Sequence, residues 1–564
     1  MKADKMAGMV LAVLTAPKRW IITIISIQEK KEYNFYVILL FACFVGITRY
    51  LLETILAYRP PTMLNINLVH YVIFYLEAIF RYALILYVFL PNQSWRKSIN
   101  IVLIGVFLGI FPPVIDMFVY GLGNFHYMYS FDFFKDWRPL LYNEEINFTF
   151  GETLTIFMTI FFTSTVIYIK TRRIARTIAS FFVTYLLVVL NSHVLPAIAF
   201  RITPIVCQPG FSYSPEAGFT TKELFFVAGF SLPCIISMMQ LASMGIIYLI
   251  MNRAIALNIA KRINHAIPAG LTGLMGYTLV RPIDWFALVT ALFFTFAFVV
   301  ATLQNDYFDR VEDGVEGRAL YLERNDVSFF NVMLLFLAGI LVFAGNIVGY
   351  LLLLFAVVSF LYNYDFYRGK RYFPSNNKIE GIAGFSSFLG GVFMAFIADT
   401  GISGDILTIQ NVGLVHSSGA FRTIEQALKG LWTAENIVIT FLVFGGWFVV
   451  SMLKDYKDIK GDAAAGNQTL YTILRKRNRD VILAHRILSS VIFILLMLPA
   501  AWFLSYRSQP LVAVCLGIAD ALMLAALTRK DPRKAVTLGF LMLNLYLLCI
   551  IIGNHLVKTG MRLI

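Results

Sequence analysis

The chain has 564 residues, of which 59% are hydrophobic and 14% charged, with a formal net charge of +14. Soluble domains are nearer about half apolar and about a quarter charged, so this composition excludes an ordinary soluble enzyme, a disordered chain and a collagen-like fibre. It implies a protein embedded in the lipid bilayer, and because one helical crossing needs about 20 apolar residues, the length allows many crossings.

Residues 1–33 are mixed in character and show no small-residue cleavage site after an apolar core, so they do not read as a removed signal peptide. Apolar runs follow near 34–57, 68–90, 99–120, 153–169, 177–200 and 224–250. After a basic connection they resume near 263–280, 284–304, 329–347, 349–364, 381–398, 436–453, 487–504, 510–528 and 535–554. The pattern predicts an all-α, multi-pass integral membrane protein. About six spans fall in an N-terminal multispan domain, residues 1–250, and about nine in a second domain, residues 255–564. With the N-terminus in the cytoplasm, Lys and Arg favour the inside segments by about three to one. The positive charge is therefore read as an orientation signal, with no nucleic acid as a partner. This topology places 305–328 and 454–486 on the same, cytoplasmic, side.

Few polar residues interrupt the first half. Glu77 and Arg81 lie four apart on one helix face. They read either as a neutralised pair that lets both charges enter the bilayer or as a buried relay or lipid-headgroup site. Asp116 and His193 stand alone. The basic group Lys170, Arg172, Arg173 and Arg176 sets topology and at most touches anionic lipid. The cysteines, Cys43, Cys207, Cys234, Cys515 and Cys549, are scattered and form no CxxC pair. They indicate neither a disulfide framework nor a zinc site.

The informative residues are acidic. Asn305-Asp306-Tyr307-Phe308-Asp309-Arg310-Val311-Glu312-Asp313 follows one apolar run, and Asp455-Tyr456-Lys457-Asp458-Ile459-Lys460-Gly461-Asp462 follows another. Both space their aspartates by three and then four, which on a helix stacks side chains on one face. Each group would then present a column of carboxylates at a helix end. Like charges so close call for a cation, and hard oxygen donors suit Mg²⁺, which binds through one or two carboxylates plus substrate phosphate oxygens. Asn305 reads as a further ligand or as a helix cap, and Gly461 as a turn.

The motifs NDxxDxxxD and DxxDxxGD, the latter followed by Ala465-Gly466-Asn467-Gln468-Thr469-Leu470, resemble those of the UbiA superfamily of intramembrane prenyltransferases. The likeness covers about residues 255–560, and the motifs follow the second and sixth spans of that half, as in the family's nine-helix bundle. The resemblance implies Mg²⁺-dependent transfer of a prenyl group from a polyprenyl diphosphate to an unidentified acceptor, an aromatic quinone precursor or a lipid. It implies metal ligands at Asn305, Asp306, Asp309, Asp313, Asp455, Asp458 and Asp462, with Asp306, Asp309 and Asp458 as catalytic residues. It also implies diphosphate contacts. Arg262 matches the arginine of the family's first helix. Arg318 stands in Gly317-Arg318-Ala319-Leu320 where many relatives have Arg-Pro-Leu. The family's YxxxK pattern fits in two registers: Lys370 with Phe366 at the tyrosine position, or Tyr367 with Arg371 as the basic residue. The alternative is a non-catalytic lipid-binding or transport protein that keeps the fold. The first half has no acidic metal motif, and Ala16-Pro17-Lys18-Arg19-Trp20 is similar only to the start of Yip-type multispan domains.

Overall fold

A computed structural model describes residues 22–31, 33–57, 64–124, 149–196, 198–199, 232–309, 322–343, 346–364, 371–400 and 434–561. Among these the chain is helical, and eleven helices are long and apolar enough to cross a membrane, with two shorter apolar ones beside them, Ile174–Val189 and Ile347–Asn363. The multi-pass all-α expectation holds. The chain divides into two compact units, one of Met1–Thr203 with Tyr213–Arg253, the other of Pro204–Ser212 with Ala254–Ile564.

The first unit contains α1 (Phe35–Leu56), α2 (Leu64–Phe89), α3 (Trp95–Gly105), α4 (Phe111–Tyr120), α5 (Phe150–Thr171), α6 (Ile174–Val189) and α7 (Leu232–Met251). A short 3₁₀ segment joins α3 to α4, so the two make one crossing, Trp95–Tyr120. The helices start where the sequence supplies an acceptor for otherwise unpaired N–H groups. Asn34, Ser94 and Thr149 accept from Val37, Lys97 and Glu152. Helix α2 packs against α1, α3 and α7, and α5 against α4 and α6.

Two ion pairs are buried in this unit. Glu77 takes two hydrogen bonds from Arg81, one at 3.1 Å, and a third from Ser243 of α7 at 3.1 Å. This is the neutralised arrangement. Arg49 and Glu53 form a similar pair at 2.5 Å on α1, joined by the Tyr71 hydroxyl and, at 3.6 Å, by Glu152. Asp116 accepts the Gly151 N–H at 2.6 Å and so ties α4 to the start of α5. The side chain of His193 lies outside the described residues.

The second unit holds nine long helices among its described residues: α8 (Arg253–Val280), α9 (Trp285–Phe308), α10 (Arg324–Phe343), α11 (Ile347–Asn363), α12 (Ser375–Thr400), α13 (Ala434–Lys454), α16 (Val481–Ser505), α17 (Pro510–Leu527) and α18 (Pro532–Thr559). Two short helices, α14 (Ile459–Ala465) and α15 (Leu470–Lys476), lie between α13 and α16. Helix α8 begins well before the expected 263, because Asn258, Arg262 and His265 give its first half a polar face that a hydropathy reading passes over. Close approach of α8 and α12 needs glycine: a Cβ on Gly391 would lie 1.8 Å from the Gly273 carbonyl oxygen, and one on Gly276 would lie 2.1 Å from that of Phe388. Helix α9 packs on α10, α11 and α12, and α13 joins α12 to α16. Helices α16, α17 and α18 pack in succession.

Candidate active site

The charged residues gather at one end of the second unit, where α9, α11 and α13 finish and α12 starts. Helix α9 stops at Phe308, and Asp309 closes it by donating its N–H to the Asn305 carbonyl at 2.9 Å. Asp306 and Asp309 are both buried, while Asn305 is half-buried. The turn above them is held by a polar network. The Gln304 amide nitrogen donates to Asn331 at 2.7 Å, and its oxygen accepts from Ser359 at 2.6 Å and Asn363 at 3.3 Å. This fixes the end of α9 against α10 and α11.

The second motif also departs from a continuous helical column. Helix α13 ends at Lys454, Asp455–Lys457 form a single 3₁₀ turn, and Asp458 is the N-cap of α14. The Asp462 N–H donates to the Asp458 carbonyl at 2.9 Å. Breaking the helix here relieves the crowding that three like charges would meet on one α-helical face. Gly461 is buried inside α14, and the expected turn belongs to Gly466, whose φ of 77° suits glycine. The loop is pinned from below. His485 stacks on Tyr456 with ring centroids 3.8 Å apart, and its Nδ1 lies 2.9 Å from the Tyr471 hydroxyl. Its Nε2 lies 2.9 Å from the Leu527 carbonyl, an acceptor, so Nε2 carries the proton and Nδ1 receives the tyrosine hydroxyl.

Helix α12 supplies a layer that sequence reasoning missed. The Asn376 amide donates to Asp455 at 3.3 Å, Asn377 donates to Ser451 at 2.7 Å, and Glu380 pairs with Lys454 at 2.5 Å while accepting from Tyr362 at 3.1 Å. Tyr362 lies in the field of Glu380, Asp455 and Asp309, so both motifs bear on one side chain. The available signal was Asn376-Asn377-Lys378-Ile379-Glu380, polar residues directly before an apolar run. They read equally well as an ordinary helix boundary.

Arg262 holds Asp306 with a two-pronged pair, Nε to Oδ2 at 2.9 Å and Nη2 to Oδ1 at 2.7 Å. Arg371 is exposed, and its carbonyl accepts the Gln468 N–H at 2.9 Å, so the chain before α12 lies against the segment after the second motif. Asp313, Arg318 and Lys370 lie outside the described residues. Burial raises the Asp455 carboxyl well above the usual carboxylate range, and the charges of Asp462, Glu380 and Asp458 add to that while Lys454 opposes it.

No three acidic, histidine or cysteine side chains among the described residues converge to hold a metal by themselves. The donor chemistry nevertheless fits Mg²⁺. The oxygens are hard, and the buried amide oxygens of Asn376 and Asn467 have no partner although their NH₂ groups hold Asp455 and Asp462. Mg²⁺ commonly takes only one or two carboxylates and completes its shell with water and phosphate. A protein-only cage is not required.

The sequence model of the UbiA prenyltransferase family matches residues 266–548. The chain belongs to this family. No curated protein matches it. A solved structure described as concerning digeranylgeranylglyceryl phosphate synthase in membranes is 19% identical, with a TM-score of 0.32, over 52% of this chain and 95% of that one. Family membership makes this a multi-pass membrane protein of the prenyltransferase class and implies a prenyl diphosphate donor and an acceptor in the membrane.

Proposed function

We propose that the second unit transfers a prenyl group from a polyprenyl diphosphate to an aromatic or lipid acceptor, with Mg²⁺ and with its acidic motifs on the cytoplasmic side. The observation that carries this reading is that Asp309 of the first motif and Asp455 of the second both act electrostatically on Tyr362, whose hydroxyl donates to Glu380, itself paired with Lys454. Asn305, Asp306, Asp309 and Asp313 from the first motif and Asp455, Asp458 and Asp462 from the second would hold the metal. Bound Mg²⁺ supplies positive charge to the leaving diphosphate.

The chain's own residues do the rest. Asp306 and Arg262 occupy each other, so a role for Asp306 toward metal and for Arg262 toward phosphate begins with the opening of this pair. Arg371, with Lys370 and Arg318, is assigned to the diphosphate. The ends of α9 and α13, with α14, carry the described aspartates and α8 carries Arg262, while the apolar helix interiors keep water from an allylic cation. Residues 1–250 form a separate multispan domain to which no chemistry is assigned.

The decisive experiment measures diphosphate release from prenyl diphosphates by the purified full-length protein, with Mg²⁺ and a membrane lipid extract as acceptor source. Mass spectrometry of new prenylated products accompanies it. Release with product formation supports transfer. Tight binding of the donor with neither release nor product supports a lipid-binding or transport protein instead.

A further inference from the structure

Three observations meet at His265 on α8. Both of its ring nitrogens are buried and neither has a hydrogen-bond partner. A buried polar group left unpaired costs about 1–3 kcal/mol, and native structures rarely keep one without a reason. The charges that bear on the ring are three cations, Lys457, Arg262 and Lys454, and one acid, Asp458. They come from α8, from the end of α13 and from the second motif, and Arg262 in turn holds Asp306 of the first motif. The ring centroid also lies 5.3 Å from that of Phe540 on α18. Phe540 and Lys454 line a narrow apolar cavity with Leu453, Met523 and Leu543. His265 therefore stands on the boundary between the polar end of the unit and its apolar interior.

That boundary has a chemical meaning, given the reaction proposed above, on which this inference rests. A prenyl diphosphate has one charged end and one apolar end, and the bond that breaks joins them. We propose that His265 is a substrate-contacting residue that donates a ring N–H to the diphosphate, at or beside the oxygen bonded to the prenyl carbon. On ionisation the carbon–oxygen bond breaks, both electrons stay on the oxygen, and the carbon becomes an allylic cation. The hydrogen bond offsets the charge that appears on the oxygen. Arg262 and Lys454 are held by Asp306 and Glu380, so a bound anion draws on Lys457 and on those two cations as their pairs open, and the ring's unpaired nitrogens are then satisfied by the ligand.

The test uses the full-length protein in lipid nanodiscs, with Mg²⁺ and inorganic diphosphate as the probe and calorimetric affinity as the readout. Three variants separate packing from hydrogen bonding. His265→Phe keeps a ring against Phe540 and removes both nitrogens. His265→Asn and His265→Gln place a donor near one or other ring nitrogen. A hydrogen bond to a charged group predicts that His265→Phe weakens diphosphate binding by roughly 10-fold or more at an unfolding temperature equal to or above that of the wild type. One of the two amide variants should recover part of that loss. Wild-type affinity in His265→Phe, or an equal loss in all three variants, overturns the inference while leaving the proposed reaction standing. A wild-type protein that binds no diphosphate removes both together.

Discussion

The two units differ in what surrounds their buried charge. In the first, Arg49 is matched by Glu53 and Arg81 by Glu77, and neighbouring hydroxyls complete each pair. In the second, Asn376 and Asn467 hold carboxylates while their own oxygens face no partner, and His265 has none at all. Arg49, Glu53, Glu77, Arg81, His265 and Asn376 lie in helices, where polar groups need partners inside lipid, and Asn467 follows α14. Closed networks hold helices in register. Open ones leave a place for something to bind. Unpaired buried atoms occur in the first unit too, at Asn191 and Gln240, so what favours the second unit as the seat of the chemistry is that Asn376 and Asn467 also hold the carboxylates of the second motif.

The largest expected effect tests that assignment directly. Asp309→Ala and Asp458→Ala should each lower prenyl transfer by about 100-fold or more, the scale on which charge stabilisation in an active site is usually felt. Membrane insertion and unfolding temperature should stay near wild type. In contrast, the double variant Glu77→Gln with Arg81→Met should transfer normally. Full activity in both aspartate variants, or loss of activity in the double variant at unchanged stability, breaks the contrast.

A stability measurement sharpens the same point in the first unit. Arg81→Met alone strands a buried Glu77 carboxylate, which should cost about 3–5 kcal/mol in denaturant unfolding. Adding Glu77→Gln should return most of it. If the single and double variants are equally unstable, Arg81 acts through packing and the pair is not the closed unit described.

The second unit predicts a pH effect of definite sign. The Asp455 carboxyl is raised above its unfolded value by burial and by Asp462, Glu380 and Asp458. The folded protein therefore holds a proton that the unfolded chain has already lost. That contribution is complete below the unfolded carboxylate pKa and is lost as pH rises through the folded one. Metal-free protein should lose stability as pH rises from about 4 upward. Asp455→Asn should flatten the profile and add about 1–3 kcal/mol at neutral pH. Mg²⁺ with diphosphate should favour the charged carboxylate and reverse the trend in the wild type alone. A wild-type profile that stays flat without metal contradicts a buried Asp455 carboxyl that keeps its proton.

Much of this was legible in the sequence, and the gaps have physical causes. The apolar runs located the helices because lipid makes length and apolarity a strong constraint. The acidic motifs could be read because the repeated spacing is local. The pair of Arg262 with Asp306 spans 44 positions and depends on α8 lying beside α9, which no spacing reveals. Asn376 and Glu380 looked like a helix boundary, and they became part of the site only through α12 packing on α11 and α13. The carboxylate columns were expected on unbroken helices. Instead α9 ends at Phe308 and α13 at Lys454, beside the charges that an unbroken helix would have stacked.

Asp520 gives the smallest effect and the closest test of what openness means. It lies within α17, is fully buried, and neither carboxyl oxygen has a hydrogen-bond partner. By that measure alone it would be a site. Its surroundings differ from those of His265. Tyr546 bears on it electrostatically, yet the tyrosine hydroxyl donates to the Leu496 carbonyl at 2.6 Å. The neighbouring turns of α17 carry Leu516 and Met523, which are buried and apolar. An unpaired group with no charged neighbours has nothing that selects a ligand, so it is a cost that apolar replacement can remove. Asp520→Leu should leave diphosphate affinity unchanged and alter stability by less than about 1 kcal/mol or raise it, measured by thermal unfolding in nanodiscs. A variant that folds normally but loses transfer would place a second polar contact inside the bundle. Openness by itself, without converging charge, would then be enough to mark a site.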